Sequence, residues 1–371
     1  MKNIFYVTSY NSLSSQRNYI AAPSSITYSN YIIDSLCSFE ECHIYVLSLS
    51  LSKEKSYFKK KTTSTNNKSE VYFRSFPQKW GSIFTRLSQI WIYIQVFTYI
   101  LLNYRKGDTV LIFHDYGLSF LYKVFRSFIR CDFIYIVCEI FNAVYDKGKK
   151  AIETECKRLK NGDAYIFVNT ELPKIFNVEK PYCICSGNYN YVPKEKVYDG
   201  NVHVIYAGKI STGIINDAFF SLEVAKLLPA NHFIHFAGYG EDTDIEKLKK
   251  DIKDLNILRG YEYASYEGNL SGDSYENLLS KCHIGLCTRT LKNELSNYCF
   301  PSKTLVYLTH NIIPICPKID ILENSKVKDM ICFVENLTPE AMALSVMKAQ
   351  NIIIGYDNGE FLNKLSKEEI E

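Results

Sequence analysis

The strongest constraint on the fold is a rhythm. Short apolar runs rich in Val, Ile, Tyr and Phe alternate with longer stretches of helical periodicity. Such alternation specifies βα units and a parallel sheet, because parallel strands need a crossover between them and are then buried on both faces. The spacing predicts strands at 3–8, 42–49, 70–74, 109–113, 133–137 and 164–168, and again near 202–207, 232–237, 262–266, 283–287, 312–316 and 331–334. Between the two sets, "NYNYVPKEKVYDGN" at 188–201 is polar and holds Pro193 and Gly200. The expected architecture is therefore α/β, with two Rossmann-like doubly wound domains in tandem, residues 1–192 and 193–371. A chain of 371 residues with 47% apolar content can fill two such cores.

Composition excludes several classes. The net charge of +3 and the lack of a basic stripe with interleaved aromatics speak against a nucleic-acid partner. The 12 cysteines are scattered, the closest pair being Cys183 and Cys185, so buried reduced thiols of a cytosolic protein are favoured over a disulfide framework or a metal site. Met1 to Asn3 lead straight into "IFYVTSY", which lacks the pattern of a secretory signal. "IWIYIQVFTYILL" at 90–102 falls short of the roughly 18–20 residues a bilayer span needs and reads as a core helix or an interfacial one. The basic clusters Lys53 to Lys68 and Lys123 to Arg130 read as solvated faces, with contact to an acidic membrane surface as the other reading.

In open parallel sheets, ligands bind beyond the carboxyl ends of the strands, and two such domains facing one another enclose a cleft. The second half offers glycines at three strand ends: Gly208 before Lys209, Gly238 before Tyr239, and Gly268 before Asn269. Each suits a turn or a close backbone approach. Neither half carries GxGxxG after its first strand. In "FPSKTLVYL" (300–308), Pro301 suits the first helical turn, and free amides of about 302 to 304 form an anion site. Lys303 in that turn opposes the helix dipole. It either holds an anion together with the amides or points into water.

Taken in order, these motifs resemble the GT-B fold glycosyltransferases, most closely the family 4 group of bacterial surface polysaccharide synthesis. "YAGKIS" (206–211), "FAGYGED" (236–242), "YEGNLSGDSYENLLSKCHIGL" (266–286) and "FPSKTLVYL" are similar to the nucleotide-binding half of that group. "CEIFNAVYDKG" (138–148), "ETECKRLKNGDAYIFVNTEL" (153–172) and "CSGNYNYV" (185–192) resemble its first half. The resemblance implies transfer of a sugar from a nucleotide-diphosphate sugar, UDP-linked by likeness, to a saccharide or lipid-linked acceptor, as in capsule synthesis. It implies no cofactor, a retaining and metal-independent course, and action in the cytoplasm at the inner face of the membrane. Oligomerisation is left open. Lys209 and Lys303 become the cations on the diphosphate, with Pro301, Ser302 and Thr304 at the phosphate helix. Gly208, Gly238, Tyr239, Tyr266, Gly268 and Asn269 become the nucleotide-side turns.

The sequence departs from that pattern where two glutamates bracket the phosphate helix: Tyr298 and Val306 stand there, with Glu294 as one candidate substitute. A catalytically silent binding subunit therefore remains a second reading, and a nucleotide-sugar epimerase or hydrolase a third. Lys209 replaces a common arginine and keeps the charge without the fork geometry. His114, heading "HDYG", either contacts the donor sugar or is structural. Glu139 either steers an acceptor hydroxyl or forms a buried salt bridge. The polar loop 11–25, with Ser15 and Arg17, either covers donor phosphates or the acceptor, or is plain surface. "EDTD" (241–244) reads as a helix cap in preference to a metal-chelating D-x-D.

Overall fold

The computed structural model describes residues 2–370 apart from 13–18, 21–22, 40, 53–60, 66, 77–81, 115–124, 126–127, 130, 145–146, 193–194, 214–215 and 289–298. Ser15, Arg17, Tyr298 and Glu294 lie outside the described residues, as does most of Lys123 to Arg130. The chain divides into two compact units, the first running to Gly187 and the second starting at Asn188, with the short stretch to Phe300 grouped with the first.

The strands of the first unit are β1 (Lys2–Thr8), β2 (Tyr19–Ile20), β3 (Cys42–Ser48), β4 (Leu51–Ser52), β5 (Lys61–Thr65), β6 (Lys68–Tyr72), β7 (Thr109–Phe113), β8 (Asp132–Val137), β9 (Ala164–Phe167) and β10 (Tyr182–Ile184). Eight of them form a sheet in the order β10-β9-β8-β7-β1-β3-β6-β5, and β2 pairs with β4 apart from it. All neighbours in the large sheet run parallel except β5, which pairs antiparallel with β6. The second unit carries β11 (Val202–Ile210), β12 (His232–Gly240), β13 (Ala264–Gly268), β14 (Ile284–Leu286), β15 (Ile313–Pro317) and β16 (Cys332–Val334). They form an all-parallel sheet in the order β13-β12-β11-β14-β15-β16.

The twelve strands expected from sequence are all present within a few residues. Their apolar runs are buried because parallel strands are covered on both faces: Phe5, Tyr6 and Val7 of β1, and Val204, Ile205 and Tyr206 of β11, are essentially inaccessible. Part of the Lys53 to Lys68 cluster, expected as loop or helix face, is instead the polar edge strand β5, "KTTST". An edge strand with one partner needs no apolar face to be held by its ladder.

Strand order reverses at β1 in the first sheet, between β3 and β7, and at β11 in the second, between β12 and β14. Connections leaving in opposite directions at such a point open a crevice at the carboxyl edge. In the second unit that edge is fixed by Tyr307 of helix Ser302–Thr309. Its ring lies where a side chain on Gly285 of β14 would stand, and its hydroxyl accepts the Ala207 N–H at 3.1 Å. The helix is thereby clamped with its first turn beside the end of β11.

Helix Ser82–Asn103 is apolar on two sides. Ser88, Ile92, Val96 and Ile100 are buried, whereas Ile83, Leu87, Ile90 and Ile94 are exposed. Four-residue and three-residue steps place the second set on the face opposite the first. It is a core helix on one side only. No helix among the described residues is long and apolar enough to cross a membrane.

Candidate functional site

At the reversal point of the second unit, Gly208 and Gly238 are paired across β11 and β12. A Cβ on Gly238 would fall on the Gly208 carbonyl oxygen, and one on Gly208 would stand 2.5 Å from Lys303 Nζ. Both glycines have positive φ, +159° and +149°. At this pair the strands present bare backbone with the Lys303 side chain laid across it, and they stay paired as far as Ile210 and Gly240, so Gly208 and Gly238 lie within the strands and not at the turns expected of them. Tyr206 donates to the Lys209 carbonyl at 2.8 Å, near the end of β11. Burial, reinforced by the nearby Asp217 carboxylate, pushes the Tyr206 phenol well above its ordinary value, so it stays neutral.

Lys303 Nζ lies 4.0 Å over the Tyr206 ring and 3.9 Å from Asp217 Oδ2. Asp217 is the first residue of helix Asp217–Lys226, and its carbonyl accepts from Ser221 Oγ at 2.8 Å and Thr288 Oγ1 at 2.9 Å. Thr288, just after β14, therefore pins the start of that helix to the same strand edge. Lys209 points outward from the end of β11 and is exposed. Ammonium, helix tip and strand-end backbone converge on an edge suited to a phosphate group.

Other expected residues fall into place unevenly. Pro301 occupies the position before the helix and Ser302 its first, exposed turn. Thr304 is fully buried; its N–H donates to the Pro301 carbonyl at 2.9 Å and its hydroxyl sits 3.5 Å from the thiols of Cys287 and Cys316. It faces the core, which removes its amide and hydroxyl from the anion site. Tyr266 donates to the Gly238 carbonyl at 2.9 Å, ahead of Gly268 with φ +91° and the exposed Asn269. Tyr239 is 45% exposed. The D-x-D segment corrects the capping expectation: Glu241 holds the cap position without a side-chain cap bond, and Asp242 and Asp244 lie in the first turn of helix Asp242–Arg259. Asp244 accepts instead from Thr212 Oγ1 at 2.6 Å.

In the first unit His114 follows β7 at that sheet's reversal point, in a left-handed conformation with φ 41°. It is buried: Nδ1 accepts the Cys138 N–H at 3.2 Å and Nε2 stands 3.7 Å from Glu155. Burial would raise the Glu155 carboxyl, but His114 and the Asn142 and Phe141 amides outweigh it and hold the carboxyl below its ordinary value. Both His114 nitrogens thus face protein groups. Glu139 lies two residues beyond β8, not within it, and accepts from the Cys299 thiol at 3.0 Å, with no cation paired to it among the described residues. Sequence reasoning missed Asp217, Tyr206 and Glu155. The signal available for Asp217 was an acid opening an apolar-periodic stretch, which by itself reads only as a helix start.

No family model matches the sequence, and no curated protein does. Among solved structures, sucrose-phosphate synthase from Thermosynechococcus elongatus is similar with a TM-score of 0.67 at 10% identity, over 100% of this chain and 94% of that one. An alpha,alpha-trehalose-phosphate synthase (UDP-forming) from Burkholderia xenovorans, in complex with glucose-6-phosphate, is similar with a TM-score of 0.66 at 8% identity, over 99% of each chain. The lipopolysaccharide outer core galactosyltransferase WaaB matches with a TM-score of 0.57 at 14% identity, over 96% of this chain and 91% of that one. At such identities the likeness concerns the fold, and across its whole length this chain has the GT-B fold, built on two parallel-sheet Rossmann-like domains.

Proposed function

We propose that the protein is a glycosyltransferase that moves a sugar from a nucleotide-diphosphate sugar, UDP-linked, to a saccharide or lipid-linked acceptor in cell-surface polysaccharide synthesis. The observation that carries the reading is the Lys303 ammonium lying over the Gly208 backbone at the tip of a helix. Departure of a nucleoside diphosphate builds negative charge, and fixed cations and amides stabilise that charge most where water is excluded. In this reading Lys303 and Lys209 take the diphosphate, Ser302 donates from the helix tip, and the turn at Gly268 and Asn269 borders the base. Two lysines supply the positive charge, so the transfer is metal-independent, and the course is retaining by the family likeness. Solved neighbours that include a UDP-forming synthase and a galactosyltransferase support this choice of donor and reaction.

The acceptor side of the proposal rests on helix Ser82–Asn103. Its outer stripe of Ile83, Leu87, Ile90 and Ile94 is exposed, with Trp91 beside it and Arg86, Arg105 and Lys106 exposed nearby. Apolar groups flanked by cations suit an anionic lipid surface. We place the enzyme in the cytoplasm, at the inner face of the membrane. Release of a nucleoside diphosphate from one member of a nucleotide-sugar panel tests the activity.

A further inference from the structure

Beside the proposed nucleotide turn, four titratable side chains form one chain of hydrogen bonds along the sheet of the second unit. Asp199 Oδ2 meets His203 Nε2 at 3.1 Å, His203 Nδ1 meets His235 Nε2 at 2.9 Å, and His235 Nδ1 meets Glu267 Oε1 at 2.7 Å. Ser265 Oγ donates to the same Glu267 oxygen. The residues come from the segment before β11 and from β11, β12 and β13 in turn.

Each of the three links needs one hydrogen. Two neutral imidazoles bring two, and ionised carboxylates bring none. The carboxylates are ionised: the Asn201 amide, then His203, hold Asp199 down at about 2, and the His235 bond, against burial, holds Glu267 below its ordinary value. The third hydrogen has to sit on the histidines.

The neighbouring charges do not supply it. His283 Nδ1 accepts the His203 N–H at 3.0 Å and its Nε2 donates to the Val197 carbonyl at 3.0 Å, which fixes a neutral tautomer. Burial lowers its imidazole to about 4. The Lys196 ammonium is turned to the carbonyls of Leu279 and Cys282, and Lys281 acts on Glu267 by charge alone. Phe233 packs on the rings of both His203 and His235, and Tyr198 stacks on His283.

We infer that His203 and His235 share one extra proton, carry a single positive charge between them, and use it to brace the end of β13 from Asp199 through to Glu267. Glu267 immediately precedes Gly268 and Asn269. The ladder is complete only while that proton is present: raising the pH removes it and leaves one link with two facing lone pairs, and strong acid breaks the ends by protonating the carboxylates. Its reach to the nucleotide rests on the function proposed above.

The test is long-range nitrogen spectroscopy of the full chain labelled at histidine, which has only 7 such residues. His203→Gln and His235→Gln assign the signals. One imidazolium's worth of charge spread over the pair near neutral pH is expected. Glu267→Gln should abolish it, because the glutamine amide donates to His235 and the count closes with two neutral rings. Asp199→Asn should do the same from the other end and serves if the first variant does not fold. Two neutral rings in the wild type, two imidazoliums, or a charge unchanged in these variants would overturn the inference. UDP affinity measured against pH should fall with rising pH more in the wild type than in Glu267→Gln; equal profiles would refute the brace's reach to the turn. Absence of any UDP binding would sink the proposed function, and the nitrogen spectrum would still decide the ladder.

Discussion

Lys303 Nζ lies 3.9 Å from the carboxylate of Asp217, on a helix whose first turn is pinned to β14 through Thr288. The ammonium has Tyr206 beneath it and the Gly208 backbone beside it. Its position in the first turn, unfavourable for an isolated helix, is offset by a buried acid and an aromatic face. An incoming phosphate would find the cation already delivered to the strand edge.

The two glycines beneath it should respond differently to alanine. In Gly208→Ala the clashing atoms are the end of the Lys303 side chain, which can move aside, so the fold survives and UDP binding weakens. In Gly238→Ala the clash is with the Gly208 backbone, which cannot move without opening the β11–β12 pairing. At least about 2 kcal/mol of stability should be lost, or roughly 4–8 °C in Tm. Thermal melts and calorimetric UDP titrations of both variants check the contrast, and equal melts would contradict it.

His283 gives a pH prediction. Its imidazole is neutral in the fold, with its value lowered by burial to about 4. The unfolded chain, with an ordinary value near 6.5, binds the proton more readily. Stability should therefore be lost as pH falls from about 6.5 to about 4, by on the order of 2–3 kcal/mol from this group. Denaturant melts over that window should show a shallower loss in His283→Gln. Parallel curves for the two proteins would remove the assignment.

Much of the fold was legible because buried parallel strands must be apolar throughout, as "IFYV" and "VHVIYAG" are, and the structure follows those runs. The polar strand β5 carried no such signal, since its order comes from β6 alongside it. At the site, Lys303 and Gly208 stood out as a charge and a glycine in telling positions, although Gly208 was expected at a turn and lies within β11. Asp217 and Tyr206 did not, because only folding brings them to Lys303. Thr304 was misread for the opposite reason: the first turn of a helix has an inner face, and Thr304 lies on it. Likewise nothing local announced that Glu155 would stand against His114.

Metal removal separates the lysine account from a D-x-D site. EDTA should leave transfer largely intact, and Asp242→Asn with Asp244→Asn should lower stability, through a weakened Thr212 bond and lost helix-dipole pairing, more than turnover. Strict dependence on manganese or magnesium, abolished by the double substitution, would contradict this.

The outer stripe of helix Ser82–Asn103 predicts reversible, salt-sensitive membrane binding. Each Lys or Arg near an anionic surface contributes about 1 kcal/mol, decaying over about 10 Å at 0.1 M salt. The protein should sediment with anionic liposomes at low salt and less at high salt, and Ile90→Ser with Ile94→Ser should reduce binding. Sedimentation with neither anionic nor neutral liposomes would leave the stripe to another partner.

The most direct measurement of the central claim is a screen of nucleotide sugars for release of the nucleoside diphosphate, run on the wild type and on Lys303→Ala. One sugar nucleotide, UDP-linked, should be turned over, and removal of the ammonium should cut nucleotide binding and rate by about ten- to a hundredfold, the loss expected for a charged hydrogen-bond partner worth about 1.5–3 kcal/mol. Release from no member of the panel, or turnover unaffected by Lys303→Ala, would contradict the account.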